Sequence, residues 1–248
     1  MNTIGILWLR QIKRQYRSKS RLIGAFAMPL LFLLAFGFGF GPVFAQAGQG
    51  NYFQFLVPGM IAMSILFASV MSGIEIIWDR QFGFLKETLV APVPRLEIMI
   101  GRTLGGATVA FAQGLLFLFL SMLFGFRIIS WTLLPIAILF MILIALFFAA
   151  LGTAIASLLD DMQGFQLIMN FLIMPIFFLS GALFPLEGVP KAIKVLSTIN
   201  PLSYGVSGLR SALAGTATGN MFFNLILLGV LAIIMLVIGS KLFSKMQV

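Results

Sequence analysis

The chain of 248 residues contains no cysteine and no histidine. That removes thiol nucleophiles, disulfides, zinc sites built on Cys or His, and imidazole acid–base chemistry together. Charge is nearly as scarce. Only 9% of residues are Asp, Glu, Lys or Arg, against about 25% in an ordinary soluble domain, so the surface suits lipid rather than water. Acids are the scarcest, 7 against 16 Lys+Arg. The basic residues lie between apolar blocks, which points to anionic lipid head groups and topology, not to a nucleic-acid partner. A Gly-x-x-x-x-Gly-Lys-Ser/Thr phosphate loop is missing. The run Phe36-Gly37-Phe38-Gly39-Phe40-Gly41 has no following Lys and falls in an apolar block. The only adjacent acids, Asp160 and Asp161, would point about 100° apart on a helix and cannot build a metal cage alone. Glu75, Asp79, Glu87, Glu97 and Glu187 fall mostly in or beside expected loops, with Glu75 placed to snorkel or to pair with Arg80. No catalytic residue, no metal and no cofactor bound by this chain are expected. No apolar block carries an ionisable group near its centre, so ion-coupled transport is poorly supported and an energy source on another chain is expected.

What is present is apolar sequence, 60% of the chain. Crossing a hydrocarbon core of ~30 Å takes about 20 apolar helical residues. Six blocks qualify: 22–44, 55–77, 103–126, 133–159, 165–184 and 222–240. They are continuously apolar, as helices require and alternating barrel strands do not. Ala45-Gln46-Ala47 imitates a signal-peptidase site, but the block before it exceeds the 7–15-residue core of a signal peptide, so a retained anchor is expected. The fold class is therefore an all-α membrane protein with six transmembrane helices, forming a single domain over 1–248 with no internal repeat.

The cations set the expected orientation. With both termini cytoplasmic, the inner segments hold Arg10, Lys13, Arg14, Arg17, Lys19, Arg21, Arg80, Lys86, Arg95, Arg102, Lys241 and Lys245, and the outer ones Arg127, Lys191, Lys194 and Arg210. That is the positive-inside pattern of a protein of the cell (inner) membrane. Three segments do not span. In 1–21, Ile4, Trp8 and Ile12 share a helical face while the basic residues lie largely elsewhere, which predicts an interfacial amphipathic helix touching membrane lipids, with Trp8 and Tyr16 at head-group level. The segment 78–102 forms a cytoplasmic loop. The segment 185–220 is external, rich in Gly, Pro, Ser and Thr, yet carries Ile193 and Leu196 in helical spacing, which predicts a partly re-entrant helical insertion. Gly37 with Gly41 and Gly101 with Gly105 are small-residue pairs one turn apart, the pattern of close helix packing.

Within the cytoplasmic loop, Phe82, Leu85 and Leu89 fall on one helical face, with Lys86 and Glu87 elsewhere, before Pro92 and Pro94 stop the helix. Spacing alone fits a helix lying on lipid as well as an apolar ridge seated in a partner's groove. In the fifth block Gln163, Gln166 and Asn170 form a polar stripe, which suits interhelical hydrogen bonding as well as substrate contact.

The motif Lys86-Glu87-Thr88-Leu89-Val90-Ala91-Pro92-Val93-Pro94-Arg95, followed by Gly101-Arg102, resembles the cytoplasmic motif of type-2 ABC transporter permeases, most closely the daunorubicin-resistance-like drug exporters. Asn200-Pro201-Leu202-Ser203-Tyr204, with Arg210 beyond, resembles that family's segment before the last helix, and six spans with a basic leading helix extend the likeness over the whole chain. Pro94 stands where family members often have a small polar residue, which implies an altered exit from the loop. The resemblance implies a permease subunit that binds no ATP itself. Its partners would be a second permease copy, in a homodimer or heterodimer, and separate ABC ATPase subunits carrying ATP and Mg. The loop around Arg80, Phe82, Leu85, Lys86, Glu87 and Leu89 would be the coupling helix against the ATPase, and the second and fifth helices would line the path, making Gln163, Gln166 and Asn170 its candidates. The cargo implied is a drug, antibiotic or lipid-like amphiphile. A polysaccharide or lipid-linked oligosaccharide is the alternative within the family, and an ATP-independent channel or assembly factor the alternative outside it.

The cation count makes a prediction that the natural absence of cysteine simplifies. In intact cells an impermeant thiol reagent should label Thr216→Cys but not Ser18→Cys or Thr88→Cys. Labelling at position 88 without labelling at 216 would reverse the topology.

Overall fold

Apolar segments in lipid have no water to satisfy their amides, so each must close its own hydrogen bonds as a helix. The computed structural model describes residues 3–46, 51–83, 93–216 and 219–246, and among them every regular element is helical and none is a strand. In order these are α1 (Thr3–Arg17), α2 (Lys19–Gln46), α3 (Tyr52–Met71), α4 (Ile74–Gln81), α5 (Arg95–Leu123), a short 3₁₀ turn (Trp131–Leu133), α6 (Leu134–Leu158), α7 (Met162–Phe178), α8 (Lys191–Ile199), α9 (Pro201–Ala214) and α10 (Met221–Ser244). Short polar side chains start several of them by accepting the orphan N–H groups of a first turn. Asn51 caps Phe53, Asp161 caps Gly164, Asn200 caps Leu202, and Asn220 caps Phe222 and Phe223.

Five stretches are long and apolar enough to cross a membrane: α2, Tyr52–Gln81 (α3 with α4), α5, Trp131–Leu158 and α10. The fifth of the six expected blocks, 165–184, is different. Its helix α7 ends at Phe178, about 25 Å of helix against a core of ~30 Å. The remainder of the block turns at Gly181, whose φ of 75° is a left-handed conformation, while Ser180 Oγ bonds back to Phe177 O. Inside α7 the turn Met169–Ile173 is a π-helix. Pro175 follows it and has no N–H for the carbonyl of Phe171, so the ladder must widen there.

The ends of that segment are nonetheless fixed to opposite ends of the bundle. Asp160 pairs with Arg80 at the close of α4, and Leu183 O accepts a 2.8 Å bond from Tyr52 at the start of α3. Residues 160–183 therefore run antiparallel to the whole of Tyr52–Gln81. We call the end holding Arg80 and Asp160 the terminal face, because the first and last helices meet α5 there: α1 docks on its start, and Arg95 donates to the carbonyls of Ser244 and Met246, both at 2.9 Å. The opposite end is the far face.

The centre is α3 against α5 and α6, and glycines set the spacing. The expected second span breaks at Ser72-Gly73, between α3 and α4, where Gly73 and Gly152 meet backbone to backbone. Gly101 and Gly105 pair as their spacing predicts: they seat α1, with Ile4 and Leu7 over the first and Gln11 over the second. Only one member of the other pair is used, since Gly37 faces Phe53 and Gly41 faces open space. Near the far face α9 is buried along Leu202, Val206, Leu209 and Leu213, with Gly205 against Ile144 and Gly208 against Phe140, whereas α8 leaves Val195, Leu196 and Ile199 exposed.

A methyl at Gly152 would lie 2.6 Å from Val70 O and 2.8 Å from Val70 Cα, both backbone atoms that cannot step aside. Gly152→Ala is expected to cost about 1–3 kcal/mol, the usual range for overpacking, read as a lower unfolding midpoint in detergent. Gly39→Ala, which meets nothing within 4 Å, should be neutral or slightly stabilising.

Candidate functional site

Two arginines and two carboxylates, each pair four residues apart, build the terminal face. On α4, Glu75 and Asp79 project from one side of the helix. On α1, Arg10 and Arg14 do the same. They meet as a ladder: Arg14 lies 3.6 Å from Glu75 and 3.5 Å from Asp79, and Arg10 lies 3.4 Å from Asp79. Asp79 is the hub, because from α5 Arg102 closes at 2.6 Å on its Oδ2, the oxygen that Arg10 also reaches, while Arg14 faces Oδ1. Asp79 is 7% exposed and Arg102 4%, so this pair is held in a region of low dielectric where neither charge is tolerable alone. Arg14 also lies over the Trp78 ring, 5.4 Å from its centroid.

This arrangement corrects one expectation and adds a contact face to α1. Glu75 pairs with Arg14 rather than with Arg80, since Arg80 turns the other way, to Asp160. The face of α1 that meets the bundle is Ile4, Leu7 and Gln11, with Arg10 and Arg14 at its edge; Trp8 lies beside that face and donates to Thr108 at 3.0 Å, and Tyr16 is exposed.

Above the ladder, α1 to α5 enclose a cavity of about 390 Å³. Trp78, Phe67 and Met71 supply apolar wall; Gln11, Gln15, Ser64, Glu75 and Gln113 supply polar groups. Two of these atoms, Ser64 Oγ and Gln113 Oε1, are buried without a hydrogen-bond partner. Buried polar atoms are normally satisfied, so the cavity suits a molecule with an apolar body and a hydrogen-bonding head. Among the described residues no group of three or more acids is placed to hold a metal ion.

The residues singled out from sequence are distributed as follows. Arg80 is paired as above. Phe82, just past α4, is 82% exposed. Leu85, Lys86, Glu87 and Leu89 lie outside the described residues, as does the rest of the 84–92 motif. Gln163, Gln166 and Asn170 are exposed on the outer side of α7 beside the exposed Leu167 and Phe171. Asn200 is buried, capping α9 and donating to Ile176 O at 2.6 Å; Pro201 opens that helix; Tyr204 OH donates to Thr198 O. Arg210 is 5% exposed and donates to Gly181 O at 3.0 Å. Sequence reasoning missed Asp79 as hub, Arg102 as its partner and the whole polar lining of the cavity. The matched i, i+4 spacing of Arg10/Arg14 and Glu75/Asp79 was the available signal.

Comparison with known proteins bears on the whole bundle. The sequence profile described as ABC-2 type transporter matches residues 2–214. Nodulation protein J of Rhizobium leguminosarum bv. viciae is 24% identical over 248 aligned residues, covering 97% of this chain and 95% of that protein. The inner membrane transport permease YadH of Escherichia coli (strain K12) is 27% identical over 212 residues, 84% of this chain and 82% of its own. The putative transport permease ycf38 of Cyanophora paradoxa is 28% identical over 236 residues, 90% and 81% respectively.

The ladder generates a graded expectation. Asp79→Asn strands the Arg102 charge in the interior and should cost about 3–5 kcal/mol, whereas Arg14→Gln, at a half-exposed position, should cost under about 1 kcal/mol. Denaturant unfolding in detergent measures both, and limited proteolysis should find α1 released in the first variant only. Equal, small losses would mean that Asp79 and Arg102 are not an interior pair.

Proposed function

The chain belongs to the ABC-2 type transporter family, as the membrane-spanning permease subunit of a transporter, and we propose that it exports an amphipathic compound, a drug, antibiotic or lipid-like molecule, at the expense of ATP hydrolysed on a separate ABC ATPase. The observation that carries this reading is the segregation of charge: the bundle is apolar through its middle, while Arg10, Arg14, Arg80, Arg95 and Arg102 gather with Glu75, Asp79 and Asp160 at the face from which the 84–92 motif leaves. A chain with no phosphate loop and no mid-membrane charge takes its driving force through such a face. The cavity beside the ladder, apolar with an unsatisfied polar end, supports an amphiphile as cargo.

In this reading the terminal face is cytoplasmic, as the cation count requires, and the far face is external. Residues 160–183 make a sixth crossing, short in helix but joined at both ends to partners one full span apart. Arg80, Phe82, Leu85, Lys86, Glu87 and Leu89 meet the ATPase. A second permease copy covers the outer side of α7, where Gln163, Gln166 and Asn170 stand among exposed apolar residues; in lipid such a polar stripe is stable only against a partner or a water-filled path. ATP and Mg are held by the ATPase. Asn200, Pro201, Tyr204 and Arg210 hold the external insertion onto the bundle.

Interface hot spots commonly cost ~2 kcal/mol on truncation, about a thirtyfold loss of affinity. Phe82→Ala and Leu85→Ala should each weaken co-purification of the ATPase by that order and uncouple hydrolysis from transport, with membrane insertion unchanged. A double variant that retains the ATPase and transports normally would exclude this segment as the coupling contact.

A further inference from the structure

A second cavity, about 720 Å³, opens at the far face between the start of α3, the 180–187 turn, α8, α9 and the start of α10. Arg210 is set in its wall. Its Nη2 donates to Gly181 O at 3.0 Å, its Nε to Phe55 O at 3.4 Å, and its guanidinium carbon lies 3.7 Å from the centroid of the Phe55 ring. These partners are two carbonyl dipoles and a ring face, and none carries charge. Glu187 lines the same cavity, yet among the described residues no carboxylate pairs with Arg210. The contrast with Arg102, closed on Asp79 at 2.6 Å, is plain: one interior arginine has its counterion and the other does not. A buried cation of this kind is costly unless paired, and a guanidinium has five N–H donors, of which two are used here.

The same wall holds Ser203, whose Oγ is buried with no hydrogen-bond partner. Lys194 adds a second cation, and Ser197 and Asn224 add further polar lining. A planar guanidinium with free donors, an unused hydroxyl and an ammonium group around one space are the groups that receive a phosphate. We propose that this cavity binds the phosphate of a larger polar head group, with Arg210 as its counterion, Ser203 Oγ as a neutral donor and Lys194 at the rim. The volume is several times what a lone phosphate fills and falls in the range of organic-ligand pockets, so the anion arrives on a head group. The proposal rests on the transport reading only in treating that head group as cargo or lipid of the external leaflet; binding itself needs no ATPase.

The test uses the full-length permease alone in detergent, following its melting temperature while inorganic phosphate is titrated against sodium chloride of equal ionic strength. A saturable rise with phosphate and none with chloride is expected. Ser203→Ala removes an oxygen that bonds to nothing, so its melting temperature without phosphate should match the natural chain while its apparent affinity for phosphate falls roughly tenfold. Arg210→Lys should weaken the response and Arg210→Gln abolish it; if the latter does not fold, Ser203→Ala decides. Repeating the titration in a maltoside detergent, which carries no phosphate, with and without added phosphatidylglycerol separates the sources. Loss of the response in the presence of phosphatidylglycerol assigns the site to a lipid head group, and its persistence to a soluble phosphate ester. An equal rise with chloride, or unchanged phosphate affinity in both Ser203→Ala and Arg210→Lys, would overturn the site. Transport failing while phosphate still binds would count against the exporter reading alone.

Discussion

Everything at the terminal face depends on one requirement, that the Asp79 carboxylate and the Arg102 guanidinium never be separated in a medium that cannot solvate either. Asp79 sits on α4 and Arg102 on α5, so the pair fixes how the chain returns after the 84–92 segment. Two oxygens accept more than one cation, and Arg10 and Arg14 complete the set from α1. The glycines of α5 then follow as a consequence. Holding α1 at ion-pair distance from α4 presses its Leu7 and Gln11 against α5, where only Gly101 and Gly105 leave room. The charge ladder and the glycine seat are one device seen from two sides. Neither would place α1 alone, since half-exposed ion pairs are weak and an unanchored amphipathic helix is free to slide on lipid.

The far face is organised by a different rule. Its helix starts are capped by neutral Asn side chains, at Asn51, Asn200 and Asn220, and its one deeply buried charge among the described residues, Arg210, meets carbonyls rather than carboxylates. A face with few acids cannot neutralise cations internally. It can either exclude them or leave them for an outside anion.

The spans were legible because length and continuous apolarity are dictated by the bilayer, and helix is the one answer to both. Their edges were not. The block 55–77 conceals the break at Ser72-Gly73, where Gly152 of another helix packs against the Gly73 backbone, a tertiary contact that apolar counting does not see. The block 165–184 overran α7 because apolar counting does not see that Gly181 takes a left-handed turn. The acids were read by sequence neighbourhood, which gave Glu75 to Arg80; distance in the fold gave it to Arg14 across the ladder. Asp160 and Asp161 were read only as a pair too divergent for a metal, whereas in the fold Asp160 finds its partner on α4 in Arg80. Leu85, Lys86, Glu87 and Leu89 carry a reading only as part of a motif, and the polar lining of both cavities was not legible at all, since isolated Ser and Gln in apolar helices gain meaning only when several helices bring them to one space.

These contacts also determine what a push on the 84–92 segment would move. Its upstream end is α4, tied to α1 and α5 through Asp79, so those three shift as a body. But α4 has a second attachment, through Arg80 to Asp160 and through Trp78 Nε1 to Met162 Sδ at 2.8 Å, and that attachment is the first turn of α7. The tie to α7 is exposed at Asp160 and hence softer than the interior pair. Farther along α7 comes the π-turn at Met169–Ile173 ahead of Pro175, where the helical ladder is already widened and bends at least cost. Motion entering at α4 therefore reaches the polar face of Gln163 and Gln166 first and is absorbed near Asn170, while the part of α7 beyond Pro175 stays held by Asn200 on Ile176 O. These contacts divide the chain into a body tied together at the terminal face, a helix that bears the polar stripe, and an end held at the far face, and the division falls where proline interrupts the backbone ladder.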